Sequence, residues 1–542
     1  MDAGFWSLLL GDSVTRLVFF PALAVLPLLL MRRARPDVVR WYALAVSLVE
    51  VGLMVAFAAG HWDAAGMRVK DPILPWVDVA GIRIAYEVGI DGISLPLVLL
   101  TGLLLPVVVL ASWKGIEKHW SGFAASLFLL TSGILGALVA LDLFVFYIFW
   151  EVMLVPMYLI IGIWGGERRV YAALKFFLFT MAGSLLMLLA ILWMAWTHGQ
   201  LAGYWSFRYE DLLRLDLPLS QQLWLFGAFA LAFAIKVPMF PVHTWLPDAH
   251  VEAPTGGSII LAGILLKLGT YGFLRFALPL FPHAADRAAP WLLGLAVVGI
   301  IYGALVAWVQ PDMKKLVAYS SVAHLGFVML GILACDLVAW QGALLQMVNH
   351  GLSTGALFLL VGVLYDRRHT KKFEDFGGLA KVMPWFATVL VFSTLASVGL
   401  PGLNGFVGEF MILIGTWSAG WKVLTAIATF GVVLAAVYLM RMLQETIWGP
   451  LTRDENRGLP DLTARETLAL LPLCVFMLWI GVTPQRFLEP SRPALQAVLE
   501  EYRGRLAVPP ASSPTLTTRA APAGADRTFV AAADSGRGGT RP

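Results

Sequence analysis

Charge is scarce in this chain. Of its 542 residues only 14% are Asp, Glu, Lys or Arg, while 59% are hydrophobic, and the mean hydropathy is +0.77. That balance lies far from the composition of soluble domains and excludes a freely soluble protein. Cysteine is nearly absent. Cys335 and Cys474 stand alone in separate apolar stretches, which excludes a thiolate-bound zinc or iron–sulfur centre, because such centres need clustered thiolates. There is no GxGxxG after a strand pattern, no GxxxxGK[ST] and no CxxC, so no nucleotide or redox-cluster site can be read. No basic stripe interleaved with aromatics marks a nucleic-acid surface either, and the net charge of +4 sits mostly in loops.

Long apolar runs are what the chain does have. Crossing the roughly 30 Å hydrocarbon layer takes about 20 residues of helix, and fourteen stretches qualify: 14–31, 41–59, 93–112, 122–141, 143–163, 172–196, 223–249, 257–278, 291–309, 315–334, 339–365, 385–416, 421–446 and 466–483. The runs are continuous and lack two-residue alternation, so they predict an all-α polytopic membrane protein and not a barrel. In the loops between spans, eighteen Lys and Arg fall on one side and seven on the other. The positive-inside rule places the richer side in the cytoplasm and both termini outside. The start, MDAGFWSLLLGDSVTR, has no basic region and no small-residue cleavage site, so no removable signal peptide is expected. The tail from 504 is rich in Pro, Ala, Ser, Thr and Gly and is expected to be disordered.

Against this background, Glu151, Lys236, Lys267, His324 and Glu409 sit deep inside apolar spans. A charged group at the centre of a span costs roughly 2.5–3.5 kcal/mol on insertion scales, and groups kept despite that cost pair, titrate or line a wet path. A proton or ion conductor is the expectation. Glu151 to His324 and Lys236 to Glu409 share the same offset of 173 residues. Five spans separate the equivalent positions, which inverts the second copy in the membrane. The segments this predicts are an N-terminal unit with an outward loop (1–121), two inverted repeats (122–278 and 291–446), a last-helix region (447–503) and the tail (504–542).

Two spans carry breaks beside their ionisable residue. Around Lys236 the chain reads AFAIKVPMFPVHTWLPDAH, where Pro238, Pro241 and Pro247 remove backbone donors. Before Glu409 it reads SVGLPGLNGFVGEF. Backbone groups freed at that depth must be met by protein or water, and paired broken helices in corresponding halves point to a transport site. A buried amine can be switched between holding and releasing its proton by a carboxylate that approaches or withdraws. Glu151 is the candidate carboxylate for Lys236, Lys267 the next carrier, and His324 and His350 suit a relay because imidazole titrates near neutrality. His243, Asp248, His250 and Glu252 lack a zinc spacing and read as an access path or as helix caps. Lys175 is equally a snorkelling residue or a functional one, and Asp142 reads as a cap.

The segments FYIFWEVMLVPMY, HTWLPDAHVEAPTGGSIILAGILLKLGTYGFLRF and LPGLNGFVGEFMIL resemble signatures of the antiporter-like membrane subunits of respiratory complex I, over about residues 93–484. The resemblance implies fourteen helices in two inverted five-helix repeats, broken seventh and twelfth helices, and a chain of charged residues along the mid-membrane. It carries over Glu151, Lys236, Lys267 and Glu409 as key positions, with His324 and His350 between them. It also implies that NADH, FMN, iron–sulfur clusters and quinone are bound by partner subunits and none by this chain, and that L-type and N-type subunits are neighbours in the inner membrane. Sibling subunits and multi-subunit cation/proton antiporters typically carry Lys at the position of Glu409. The alternative settings are such an antiporter or a membrane-bound hydrogenase arm.

Overall fold

The computed structural model describes residues 3–11, 13–61, 69–451 and 453–517. Thirteen helices among them are long and apolar enough to cross a membrane, from Val14–Arg33 to Ala464–Val482. A further crossing, the twelfth in chain order, is built from two shorter helices, Pro384–Val398 and Asn404–Ser418. The all-helical polytopic class read from the apolar runs is therefore the observed one. The spans are not equivalent. The most apolar stretch of the eighth, Thr255–Leu280, is 100% buried, and those of the tenth (Met313–Leu333) and eleventh (Leu337–Arg368) are each 94% buried. The thirteenth, Lys422–Thr446, and the fourteenth are only 33% buried and turn their Leu, Val and Phe outward. Spans eight, ten and eleven are thus the interior of the bundle, where a charged side chain meets protein and not lipid.

Helix starts follow from local chemistry. Asp142 accepts from the N–H groups of Phe144 and Val145 and opens the fifth span, while Asp336 does the same for the eleventh. Thr463 and Glu466 close a reciprocal capping box at the fourteenth. The seventh span runs as Leu219–Lys236 and resumes as Trp245–Glu252. Pro238 cannot donate to the carbonyl four residues back, so Met239 N donates to Ala234 O instead, at 2.8 Å. The orphaned Ile235 carbonyl accepts from the Trp245 indole at 2.9 Å. The break is thereby sealed by protein. In the twelfth span the break falls at Gly399 and Gly402, whose φ angles of +87° and +93° lie where an L side chain is strained. Lys236 ends its half-helix just ahead of one break, whereas Glu409 lies more than a turn beyond the other.

The described part of the loop after the second span, from residue 69, folds into a small cap. Leu74–Val79 and Ile82–Tyr86 form an antiparallel hairpin, and Trp205–Ser206 joins it in parallel. Beneath the cap Glu87, 1% exposed, is held by Lys70 at 3.2 Å and Arg208 at 2.7 Å. The expected boundary of a disordered tail at 504 needs correction. A helix runs from Arg492 to Leu506, Arg505 donates to the carbonyls of Pro279 and Leu215, and Thr515–Leu516 pairs with Leu215–Asp216. Backbone acceptors at the ends of other elements hold this segment, despite its low apolar content. The rest of the predicted tail, 518–542, lies outside the described residues.

Candidate functional site

Glu151 occupies the last turn of the helix Leu143–Val152 and is half-buried. Its Oε1 has no hydrogen-bond partner among the described residues, and Tyr147, one turn earlier, lies beside both it and Ser184 of the sixth span. Lys236 is 2% exposed. Its Nζ faces aromatic rings, 5.2 Å from the centroid of Trp150 and 5.8 Å from that of Phe176, within cation–π range. No ion pair within 4.0 Å joins Lys236 to Glu151, although the carboxylate acts on the amine through space. Trp150, the residue before Glu151, forms the nearer wall. The two expected partners therefore interact without contact, which leaves room for their separation to change.

Lys267 is wholly buried, on a helical stretch flanked by two π-helical ones, Leu261–Leu265 and Phe273–Ala277. Such wide turns are frequent at functional sites. Its Nζ donates to the Ala262 carbonyl inside the first of them and lies 2.7 Å from His350 Nδ1. His350, on the eleventh span, faces His324 of the tenth with ring centroids 5.9 Å apart. His324 Nδ1 is 2.8 Å from Glu409 Oε1, and its Nε2 is 3.3 Å from the Tyr438 hydroxyl. Four ionisable side chains from spans eight, eleven, ten and twelve thus stand in one buried line. With an ammonium donating to Nδ1, the proton of neutral His350 sits on Nε2, an atom without a partner among the described residues. The one step in the line lacking a direct hydrogen bond is His350 to His324. No hydrogen bond joins Lys236 to Lys267 among the described residues, yet spans seven and eight are close there, since a Cβ on Gly269 would meet Phe233 O at 2.7 Å and Val237 N at 2.9 Å.

Residues 140–435 match the family model described as NADH:quinone oxidoreductase/Mrp antiporter, TM. The chain belongs to this family. Over 472 residues it is 42% identical to NADH-quinone oxidoreductase subunit M of Escherichia coli (strain K12), covering 84% of this chain and 91% of the relative. It is 44% identical to subunit M of Pseudomonas aeruginosa, covering 85% and 92%. A chain of respiratory complex I from Thermus thermophilus with bound NADH superposes with a TM-score of 0.79 at 34% identity, covering 90% of this chain and 99% of that one.

Around the line in this antiporter-type subunit stand residues that sequence reasoning passed over. Gln346 Nε2 donates to Glu409 Oε1 at 3.0 Å and Gln346 Oε1 accepts from Asn349 Nδ2 at 3.1 Å. Asn349 and Asn404 exchange side-chain-to-carbonyl hydrogen bonds at 2.7 and 3.3 Å, tying the start of the second half of the twelfth span to the eleventh. On the face where the seventh span ends, a polar cavity of about 200 Å³ is lined by Ser112, Glu252, Lys314, Asp366 and Lys371. Lys314 Nζ donates to Ala253 O at 2.5 Å. Nearby, Lys175 pairs with Asp248 at 2.7 Å, and His250, fully buried with both ring nitrogens unpartnered among the described residues, stacks on Phe358. His243 stacks on Phe240 instead. Glu50 in the second span was also missed. It is 0% exposed and both its oxygens lack a partner among the described residues; a scan for ionisable residues inside apolar runs finds it as readily as Glu151.

Proposed function

We propose that this chain is the proton-translocating membrane subunit of an NADH:quinone oxidoreductase, carrying protons from the cytoplasm to the outside while partner subunits reduce quinone. The observation that supports this most is the buried line Lys267–His350–His324–Glu409, in which successive groups able to hold a proton are joined by hydrogen bonds or facing rings. Such a line passes protons by short hops and needs no redox group of its own. In this reading Glu151 modulates Lys236, Lys236 takes up and releases a proton, Lys267 and the two histidines relay it, and Glu409 hands it on. Flavin, iron–sulfur clusters, NADH and quinone belong to partner subunits, among them L-type and N-type membrane neighbours. The chain lies in the inner membrane with both termini outside.

NADH-driven proton pumping in membranes carrying Lys236→Ala tests the reading, with assembly followed on native gels. Loss of pumping from an assembled complex is expected. Normal pumping would make Lys236 structural and return the chain to an antiporter without redox coupling.

A further inference from the structure

Lys267 of the buried line is also the first member of a second polar row. Tyr271 and Arg275 follow it at intervals of four on the buried eighth span, so the three side chains lie along one face. The row covers about 12 Å of helix at 1.5 Å per residue and ends at Asp91. This aspartate follows the last strand of the cap, Gly89–Ile90, and precedes the third span, Leu95–Gly115, so the row runs from the relay toward the membrane face that carries the cap. Tyr271 and Arg275 are each 2% exposed and Asp91 is 8% exposed. Arg275 Nη2 donates to both oxygens of Asp91, at 2.5 and 2.6 Å, and its Nε donates to the Tyr271 hydroxyl at 3.2 Å. That hydroxyl donates to the Leu138 carbonyl, at the end of the fourth span, at 2.8 Å. Asp91 Oδ1 also accepts from the N–H groups of Ile93 and Ser94, at 3.0 and 3.1 Å. Beside the pair, Phe276 packs edge-on against the rings of Tyr209 and Tyr271.

We infer that Arg275 is a seal: it closes Lys267 to the cap face, so that a proton on Lys267 can go on only to His350. This rests on the relay reading above. A row of polar groups that joins a relay to one membrane face is a short circuit unless some member interrupts it. Protons pass along such a row only where each member both accepts and donates. A guanidinium has five donors and no acceptor, and it keeps its proton in proteins. The Tyr271 hydroxyl is turned toward a backbone carbonyl, which passes nothing on, and the Asp91 carboxylate is occupied by the guanidinium and the two N–H groups. Stability alone is a weak reason for this pair, because apolar residues of similar volume often serve a buried position as well as an ion pair does.

The test is the resting proton leak of proteoliposomes that hold the assembled complex, measured without NADH as the decay of an imposed pH gradient. Arg275→His introduces a ring that both accepts and donates and can still pair with Asp91. It should raise the leak about tenfold, equivalent to about 1.4 kcal/mol of lost barrier. Asp91→Asn breaks the ion pair but leaves the guanidinium in the row, and should stay as tight as the wild type. A merely structural tie would treat the two variants alike. Arg275→Ser, a small hydroxyl that leaves room for water, should leak as well and carries the test if Arg275→His fails to assemble. A tight complex in the assembled Arg275 variants, an equal leak in Asp91→Asn, or failure of all three variants to assemble would each overturn the proposal. NADH-driven pumping by the wild type is followed in the same vesicles. Its absence counts against the relay reading, whereas tight Arg275 variants beside a pumping wild type count against the seal alone.

Discussion

Glu409 accepts two hydrogen bonds on a single oxygen, from His324 Nδ1 and Gln346 Nε2, and is 3% exposed. Glu409→Gln keeps the shape and an acceptor for Gln346 but cannot take up a proton, so assembly should persist while pumping is lost. Glu409→Ala orphans two buried groups at about 1–3 kcal/mol each and should also lower the thermal stability of the complex. Glu409→Lys restores a titratable group and should be tolerated better than Ala. Pumping assays beside thermal melts of the three variants separate these outcomes, and equal loss in Lys and Ala would count against a titrating role. Tyr438→Phe removes the hydroxyl that contacts His324 Nε2 and lies beside Ser320, and leaves the ring in place. A net hydrogen bond of about 1 kcal/mol translates into a fall in pumping of about fivefold, measured at saturating NADH. The charged members of the line were legible in the sequence because each stands out in an apolar span. Gln346, Asn349, Asn404 and Tyr438 were not. Neutral amides and phenols break no hydrophobic pattern, and their partners on other spans lie 55 to 114 positions away along the chain.

At the level of helices, the two breaks were legible from Pro238, Pro241, Gly399 and Gly402, but what seals them was not. The indole of Trp245 on the Ile235 carbonyl and the reciprocal amides of Asn349 and Asn404 are contacts across the break or between spans, set by packing. The twelfth-span break offers a test with its own control. A Cβ on Gly405 would lie 2.1 Å from the Ala396 carbonyl, backbone against backbone, whereas one on Gly402 meets nothing within 4 Å and suffers only from its φ. Gly405→Ala should therefore pry the two half-helices apart, displace Glu409 from His324 and reduce both assembly and pumping. Gly402→Ala should cost about 1–3 kcal/mol of local strain and leave an assembled, pumping complex. Similar damage from both, judged by native gel and proton uptake, would mean that the break itself, and not the close approach at Gly405, sets the geometry. The π-helical stretches around Lys267 had no legible signal, since an extra residue per turn leaves composition unchanged.

For the molecule as a whole, the buried line begins at Lys267, while Lys236 and Glu151 stand apart, coupled through space and not by contact. Moving one charge against about 100 mV costs about 2.3 kcal/mol. Two unit charges 4–5 Å apart at an effective dielectric of about 20 interact by about 3–4 kcal/mol, so driving one transfer by separating Glu151 from Lys236 takes at least a doubling of such a separation and not a small shift. The sequence offered Glu151 as the carboxylate that acts on Lys236, but gave no sign of the contrast between this open pair and the closed His324–Glu409 pair. That asymmetry yields the last prediction. If Glu151 supplies the stroke, Glu151→Ala removes the internal driving step and not merely a conduit. NADH oxidation should then fall together with pumping, and it should stay low when an uncoupler collapses the proton gradient, because the block does not come from back-pressure. Measuring NADH oxidation in sealed vesicles with and without uncoupler decides the matter. Recovery to the wild-type rate would mean that electron transfer runs free of Glu151 and that this carboxylate only tunes a passive path.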